Sequence, residues 1–370
     1  MRIESVDVYR VRMPLVYPFR TAFGDDAAVE SILVKLASGG VVGWGESAPW
    51  ANPAYSPECA QTAFLVIERF LAPMILGQDI QSGEQLQSIF SVVKGNPFAK
   101  AALDIAWWEL HARYQERPLW EVLGGTRNSV EVGADFGVME SVELLLETIR
   151  KAVDAGFRRV KLKYRPGWEL EMIERVRSTF PDSVIHVDCN SAYTLQDIDM
   201  FRRLDQYGLA MIEQPLMHDD LIDHATLQKE LATPICLDES VTSPVKARQA
   251  AQLKACGWIN IKPGRVGGLT NALHIHDVCE EVGVPCWVGG MLESSLGAHQ
   301  CLALATLSNF KYPNDIFPSE RFYSNDLCQP PMGLSGPSEA TAADTPGTGA
   351  EPVPERLQAM AVAHSALSSS

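Results

Sequence analysis

From Val130 onward, short apolar runs recur at a nearly fixed interval, and this rhythm constrains the fold more than any other feature of the chain. The runs read VEVGADFG, VKLKY, VIHVDCN, MIEQPL, PICLDES, WINIKP and PCWVGG, with starts about 24–30 residues apart and helical periodicity between them. A strand apolar on both faces must be covered on both, and strand–helix–strand units achieve this by laying helices over a parallel sheet. Seven or eight such units close most economically into a barrel, so the expected fold class is α/β, a (β/α) barrel. An open doubly wound sheet is the alternative, but it wants a glycine-rich phosphate turn after its first strand. The nearest stretch, GWGESA at 43–48, lacks the third glycine and lies outside the repeats.

Upstream the texture differs. Residues 2–12, 29–36 (VESILVKL) and 41–49 (VVGWGESAP) alternate as strands, with a turn at Gly39-Gly40. Helical spacing follows over Pro57–Phe70 and over AKAALDIAWWELHARY at 99–114, which is apolar enough to be deeply buried. The expected organisation is therefore an α+β domain over 1–125, the barrel over 126–325, and a carboxyl-terminal segment over 326–370. Within that segment 333–350 is read as irregular, and the last 15 or so residues as a frayed tail.

Several function classes drop out. With 31 basic and 46 acidic side chains the net charge is −15, so a basic face for nucleic acid is not expected. The most apolar early stretch, Phe64–Leu76, is interrupted by Glu68, Arg69 and Pro73 and is too short to span a membrane. The amino terminus reads as a strand and lacks the apolar core of a signal peptide. Eight scattered cysteines with no CxxC pair point to reduced thiols in a cytoplasmic protein. No GxSxG elbow, Walker loop or HExxH motif is present.

In a barrel, chemistry gathers at the carboxyl ends of strands. Those ends hold Asp135, Lys161 and Lys163, Asp188 and Asn190, Glu213, Asp238 and Glu239, Lys262, and Gly289-Gly290. Asp188, Glu213 and Asp238 follow one another at intervals of 25 residues, so they converge from neighbouring strands. One such acid alone is explained as a helix cap. Three unpaired carboxylates in a low-dielectric site repel, and a hard, oxygen-loving cation relieves the repulsion. Mg²⁺ suits them, with Mn²⁺ as an acceptable substitute. Lys161 and Lys163 share a strand face, and Lys262 approaches from beyond the acids. The bland alternative is that the lysines simply pair with those acids. Mutual proximity and a dication are expected to lower the lysine pKa values into the range of usable bases. A metal gripping a carboxylate with a base on either face of the adjacent carbon is equipment for removing a proton α to that carboxylate. His186 is assigned to core packing, His274 and His276 to the surface, and Trp107-Trp108 to the core; His299 is a lesser candidate for substrate contact.

The motifs VKLKYRPGW, VDCNSAY, MIEQPL, TPICLDES, INIKPGRVGG and WVGGMLES, together with GWGESAP, KGNPFAKAALDIAWWEL and RFYSNDL, resemble the enolase superfamily. The likeness is to its muconate-lactonising-enzyme subgroup, in the branch of o-succinylbenzoate synthases and N-succinylamino acid racemases. It implies a (β/α)7β TIM-like barrel capped by the α+β amino-terminal domain, which the carboxyl-terminal segment completes. It also implies Mg²⁺ on Asp188, Glu213 and Asp238, an acid/base pair in Lys163 and Lys262, and support from Lys161 and Asn190. The loop around Phe19, Phe23 and Gly24 would close over the substrate, and Gly290, Met291 and Glu293 would line the pocket for a succinyl arm. The implied activity is a lyase, syn dehydration to o-succinylbenzoate in menaquinone synthesis. Racemisation of N-succinylamino acids is the alternative, with muconate cycloisomerisation and dipeptide epimerisation behind it; a non-catalytic barrel would be expected to have lost a ligand or a lysine. The expected partners are a small carboxylate substrate and further copies of the chain, with no nucleic acid and no membrane. Three positions depart from the family pattern: Asp135 for serine, ESSLGAH for an ETGxGR-like run, and Cys189 for alanine. An added carboxylate at Asp135 bears on the choice of substrate.

Overall fold

Period-2 alternation at the amino terminus builds an antiparallel sheet from β1 (Ser5–Thr21), β2 (Gly24–Ser38) and β3 (Val41–Ser47). The computed structural model describes residues 1–21 and 24–369, with side chains given outside 19–25. Gly39 and Gly40 both take positive φ in the β2–β3 turn. The Pro97–Tyr114 helix lies across β3 and buries residues on all sides, Trp107 among them. Its approach explains the glycines of GWGES: a Cβ on Gly43 would fall 2.3 Å from Leu110 N, and one on Gly45 2.4 Å from Ala102 O. These glycines admit a helix, not a phosphate.

The repeats form the parallel sheet. A short strand, β4 (Ser129–Glu131), precedes β5 (Ala134–Phe136), β6 (Arg159–Lys163), β7 (Val184–Asp188), β8 (Ile212–Glu213), β9 (Ile235–Leu237), β10 (Trp258–Ile261) and β11 (Cys286–Val288). Strands β5 to β11 lie side by side in chain order, all parallel. Residues 309–315 join the two edges. Lys311 N and Asp315 N donate to Cys286 O and Val288 O, while Asn314 exchanges backbone bonds with Glu131 and Gly133. The curled sheet thus closes through a bridging segment in the eighth position. Its outer face packs under helices such as Val142–Asp154 and Leu269–Val282, where Leu145, Ile149, Ala272 and Ile275 are buried against Val160 and Ile259.

The end of the chain corrects one expectation. Instead of a frayed tail, Ala361–Ser368 forms an edge strand antiparallel to β1, with Ser368 opposite Ser5 and Ala361 opposite Val11. Within 333–350, otherwise irregular, Glu339–Thr341 pairs with β4. All eight cysteines are free thiols, seven of them buried. Among the described residues no helix is long and apolar enough to cross a membrane.

Candidate active site

Parallel register sets the site. Lys163 lies opposite Asp188, and Asp188 opposite Glu213, on β6, β7 and β8. Lys163 Nζ donates to Asp188 Oδ2 at 2.7 Å and to Asn190 Oδ1 at 2.9 Å. Across the cavity, Lys262 Nζ, just beyond β10, donates to Asp238 Oδ2 at 2.9 Å and to the Tyr55 hydroxyl at 3.2 Å, with the Tyr55 ring centre 4.7 Å away. Lys161 sits deeper, 2.8 Å from Glu213 Oε2, 3.1 Å from Asp188 Oδ2 and 3.2 Å from Asp315 Oδ2. The cavity between them measures about 60 Å³, and Lys163, Lys262, Asp188, Asn190, Gly290 and Met291 all reach its wall.

Strained backbone concentrates here. Trp50, Asn190, Ser191, Gln214 and Leu292 all have positive φ, a conformation costing non-glycine residues of order 1–3 kcal/mol and held only where surroundings over-determine it. Those surroundings are visible: Gln214 Oε1 accepts from Asp238 N and Ser240 N, and its Nε2 donates to Ser240 Oγ. The side chain of Gln214 therefore ties the end of β8 to the end of β9.

The protein's own acids act on the lysines against the lowering expected from a dication. Burial alone would lower Lys161, but Asp188, Asp315 and Glu213 outweigh it and hold the ammonium well above the usual lysine range. Burial would lower Lys262 too, yet Tyr55, Glu239 and Glu213 push it upward against repulsion from Lys161. Neither lysine is depressed, because each is paired directly with acidic groups. Burial would raise Asp188, but Lys161 and Lys163 hold it far below the carboxylate range. Glu239, buried and beside Asp188, is pushed up to about 7.

The cap contributes residues that the sequence did not single out. Tyr55 reaches from the loop before the Ala60–Val66 helix to Lys262, Asp238 and Arg265, and Trp50 Nε1 donates to Met291 O at 2.9 Å. Glu46, the acid of GWGES, accepts from Ser31 Oγ, from Ser294 N and Oγ, and from Gly297 N, capping the Ser295–Ala305 helix behind the site. Asp315, on the bridging segment, also pairs with Arg159 at 2.5 Å. Arg265 pairs with Asp238. Asp315 and Tyr55 stand outside both the strand-end periodicity and the family-like motifs, whereas Arg265 lies within INIKPGRVGG.

The other candidates divide. Asp135 borders the cavity, and its Oδ1 is buried with no hydrogen-bond partner. Glu293 stands behind the cavity wall, where it accepts from Met291 N at 2.7 Å and burial pushes it up to about 7. The expectations for Phe23 and for the side chain of Phe19 lie outside the described residues. His186 packs on Trp287 and Tyr312 with Nε2 3.4 Å from Glu213 Oε2. His276 is a correction: it is buried, and its Nε2 accepts from Asn309 N. His299 binds back to its own helix at Ser295 O, away from the cavity.

A (β/α) barrel with paired lysines and acids at its strand ends, under an antiparallel cap, is matched by family models over most of the chain. Residues 3–124 fit the mandelate racemase / muconate lactonizing enzyme N-terminal domain, and 144–356 the enolase C-terminal domain-like family. The chain belongs to the enolase superfamily. Its relatives include an o-succinylbenzoate synthase of Geobacillus stearothermophilus, 44% identical over 350 residues, covering 94% of this chain and 93% of that one. An N-succinylamino acid racemase of Thermus thermophilus is 42% identical over 329 residues, covering 89% of each. A solved enolase-superfamily member from Listeria innocua superposes with a TM-score of 0.96 at 35% identity, covering 100% of this chain and 99% of that one. The chain is thus an enzyme of a superfamily whose members are generally Mg²⁺-dependent.

The residues fit such an ion in one specific respect. Asn260 Nδ2 donates to Glu213 Oε1 at 2.7 Å, fixing the carboxylate, while Oε2 is buried with no donor aimed at it, although Lys161 and His186 are close. An oriented, desolvated oxygen of this kind suits a hard cation. Among the described residues no three such ligands stand already grouped, since lysines and Arg265 engage Asp188 and Asp238.

Proposed function

We propose that this enzyme removes a proton α to a substrate carboxylate, and that it acts as an o-succinylbenzoate synthase, dehydrating the cyclohexadiene precursor in menaquinone synthesis. The observation that carries this reading is that Lys163 and Lys262 line one cavity from β6 and from beyond β10, with Asp188, Glu213 and Asp238 at the carboxyl ends of the strands between. Those three acids would hold Mg²⁺, or Mn²⁺ in its place, and the ion would supply positive charge to the substrate carboxylate as the proton leaves.

Lys163, as the neutral amine, takes the α proton into its lone pair. The electron pair of the broken C–H bond moves onto the substrate carboxylate as an enediolate, then returns to form the new double bond as the β hydroxyl departs. The Lys163 ammonium returns its proton to that hydroxyl, so one water leaves on the face from which the proton came. Lys262 stays an ammonium and lends charge to the developing oxyanion. Asn190 orients Lys163 through its 2.9 Å acceptor contact, and Lys161 offsets the charge of Asp188 and Glu213 from below. Trp50 and Tyr55 cover the cavity from the cap side.

A second reading, racemisation of an N-succinylamino acid, is favoured by the same opposition of lysines, which could exchange the roles of base and acid. The unpartnered Asp135 Oδ1 would also accept an amide N–H. Free thiols suit a cytoplasmic setting, and self-association is expected. The deciding experiment is an ultraviolet assay of the diene with purified protein and Mg²⁺, with EDTA as control. Rapid, EDTA-sensitive loss of absorbance supports the synthase. No loss from folded, metal-loaded protein would sink it.

A further inference from the structure

The cavity that holds the lysines is too small for a whole substrate, and its wall at Asp135 is shared with a larger groove. That groove, about 720 Å³, runs over the end of β5 toward the Val142–Asp154 helix, between apolar side chains such as Val138, Met139, Leu144 and Phe157. Arg321 stands where the two meet. Its guanidinium carbon lies 4.5 Å from the ring centre of Phe317 and 5.3 Å from that of Phe322, and one terminal nitrogen donates to the main-chain oxygen of Asp135. Phe317 itself borders the lysine cavity.

Among the described residues these two rings and one carbonyl are the contacts of Arg321, and no carboxylate pairs with it. That is unusual in a chain with a net charge of −15, and every other arginine or lysine around the cavity has an acidic partner. The two rings hold the guanidinium, and its other N–H groups make no hydrogen bond among the described residues. A planar fork of this kind matches a carboxylate through two parallel hydrogen bonds. A methylene arm is the natural occupant of the apolar groove leading to it.

We infer that Arg321 is a specificity residue that binds a second, distal carboxylate of the substrate, with the arm carrying it laid in the groove beside Asp135. This rests on the proposed α-proton chemistry for the near carboxylate. Arg321 touches no reacting atom, so its loss falls on recognition.

The test compares wild type, Arg321→Gln and Arg321→Lys on the diene substrate and on its analogue with the distal carboxylate converted to a carboxamide, each with Mg²⁺. We expect Arg321→Gln to raise KM for the diacid at least about tenfold, the scale of a lost charge-assisted hydrogen bond, with kcat within a few-fold and no change on the carboxamide. Arg321→Lys recovers part of the loss. Equal losses on both substrates would show a merely structural role, and unchanged KM for the diacid would show none; either overturns the inference. If wild type turns over neither compound, the reaction assignment fails and binding decides the role of Arg321. Calorimetric titration with o-succinylbenzoate and its distal carboxamide should then show a diacid preference that Arg321→Gln erases. Equal affinities in wild type would overturn the inference.

Discussion

At the scale of single residues, the lysines of the site separate by what surrounds them. Lys161 is surrounded by Asp188, Glu213 and Asp315 and acts as fixed positive charge. Lys163 has only Asp188 and Asn190 and a more exposed amine. Lys163→Ala should therefore lower turnover at least about 10³-fold, near the upper part of the range for general acid–base groups, with thermal midpoint and far-ultraviolet dichroism retained. Full activity with normal Mg²⁺ dependence in that variant would remove Lys163 from the mechanism. Asp135→Ser should change relative rates across a panel of succinylated carboxylates more than it changes Mg²⁺ affinity; identical relative rates would deny Asp135 a role in substrate choice. Away from the site, Glu58 accepts from Phe98 N and Ala99 N, and burial pushes its carboxyl from 4.5 up to about 7. A carboxyl raised by folding favours the folded state fully below about pH 4.5 and loses that contribution as pH rises through 7. The change amounts to about 3 kcal/mol. Denaturant midpoints should fall from pH 5 to pH 8, and Glu58→Gln should flatten the fall; parallel profiles would contradict the assignment.

At the scale of elements, the parallel strands were legible because doubly covered strands are apolar throughout, and register then places acids 25 residues apart side by side. Two elements were not legible, for different reasons. Residues 309–315 close the barrel with a few backbone bonds through a polar YPND stretch that carries no strand pattern, so Asp315 went unnoticed. Ala361–Ser368 alternates in exposure, but its small Ala and Ser side chains gave too little contrast to distinguish an edge strand from a tail. GWGES was visible as a motif but opaque in purpose, since its meaning lies in a helix more than fifty residues away. Gly45→Ala should cost about 1–3 kcal/mol, as overpacking does, because the new methyl meets the backbone of Ala102 and Ala106. An unchanged urea midpoint would show that the helix can move aside.

At the scale of the whole molecule, cap and barrel form one working unit. Glu46 of β3 caps the helix behind the pocket, Tyr55 holds Lys262, and Trp50 holds Met291. The carboxyl-terminal strand ties the cap sheet together at β1, far from the lysines along the chain. Deleting 361–370 should lower the thermal midpoint by about 1–3 °C, as loss of about 1–2 kcal/mol would in a chain of this length, with kcat retained below the transition; an unchanged midpoint would make that strand dispensable. The arrangement of two lysines about one α carbon leaves Lys262 an ammonium on the diene but makes it a base toward one enantiomer of an N-succinylamino acid. Its most direct test is proton exchange at that carbon, followed by nuclear magnetic resonance in D₂O with Mg²⁺ and each enantiomer of an N-succinylamino acid. Wild type should wash deuterium into both enantiomers, Lys163→Ala should lose exchange of one, Lys262→Ala of the other, and the double variant of both. Exchange in the double variant at the wild-type rate, or wild-type exchange confined to one enantiomer, would contradict it.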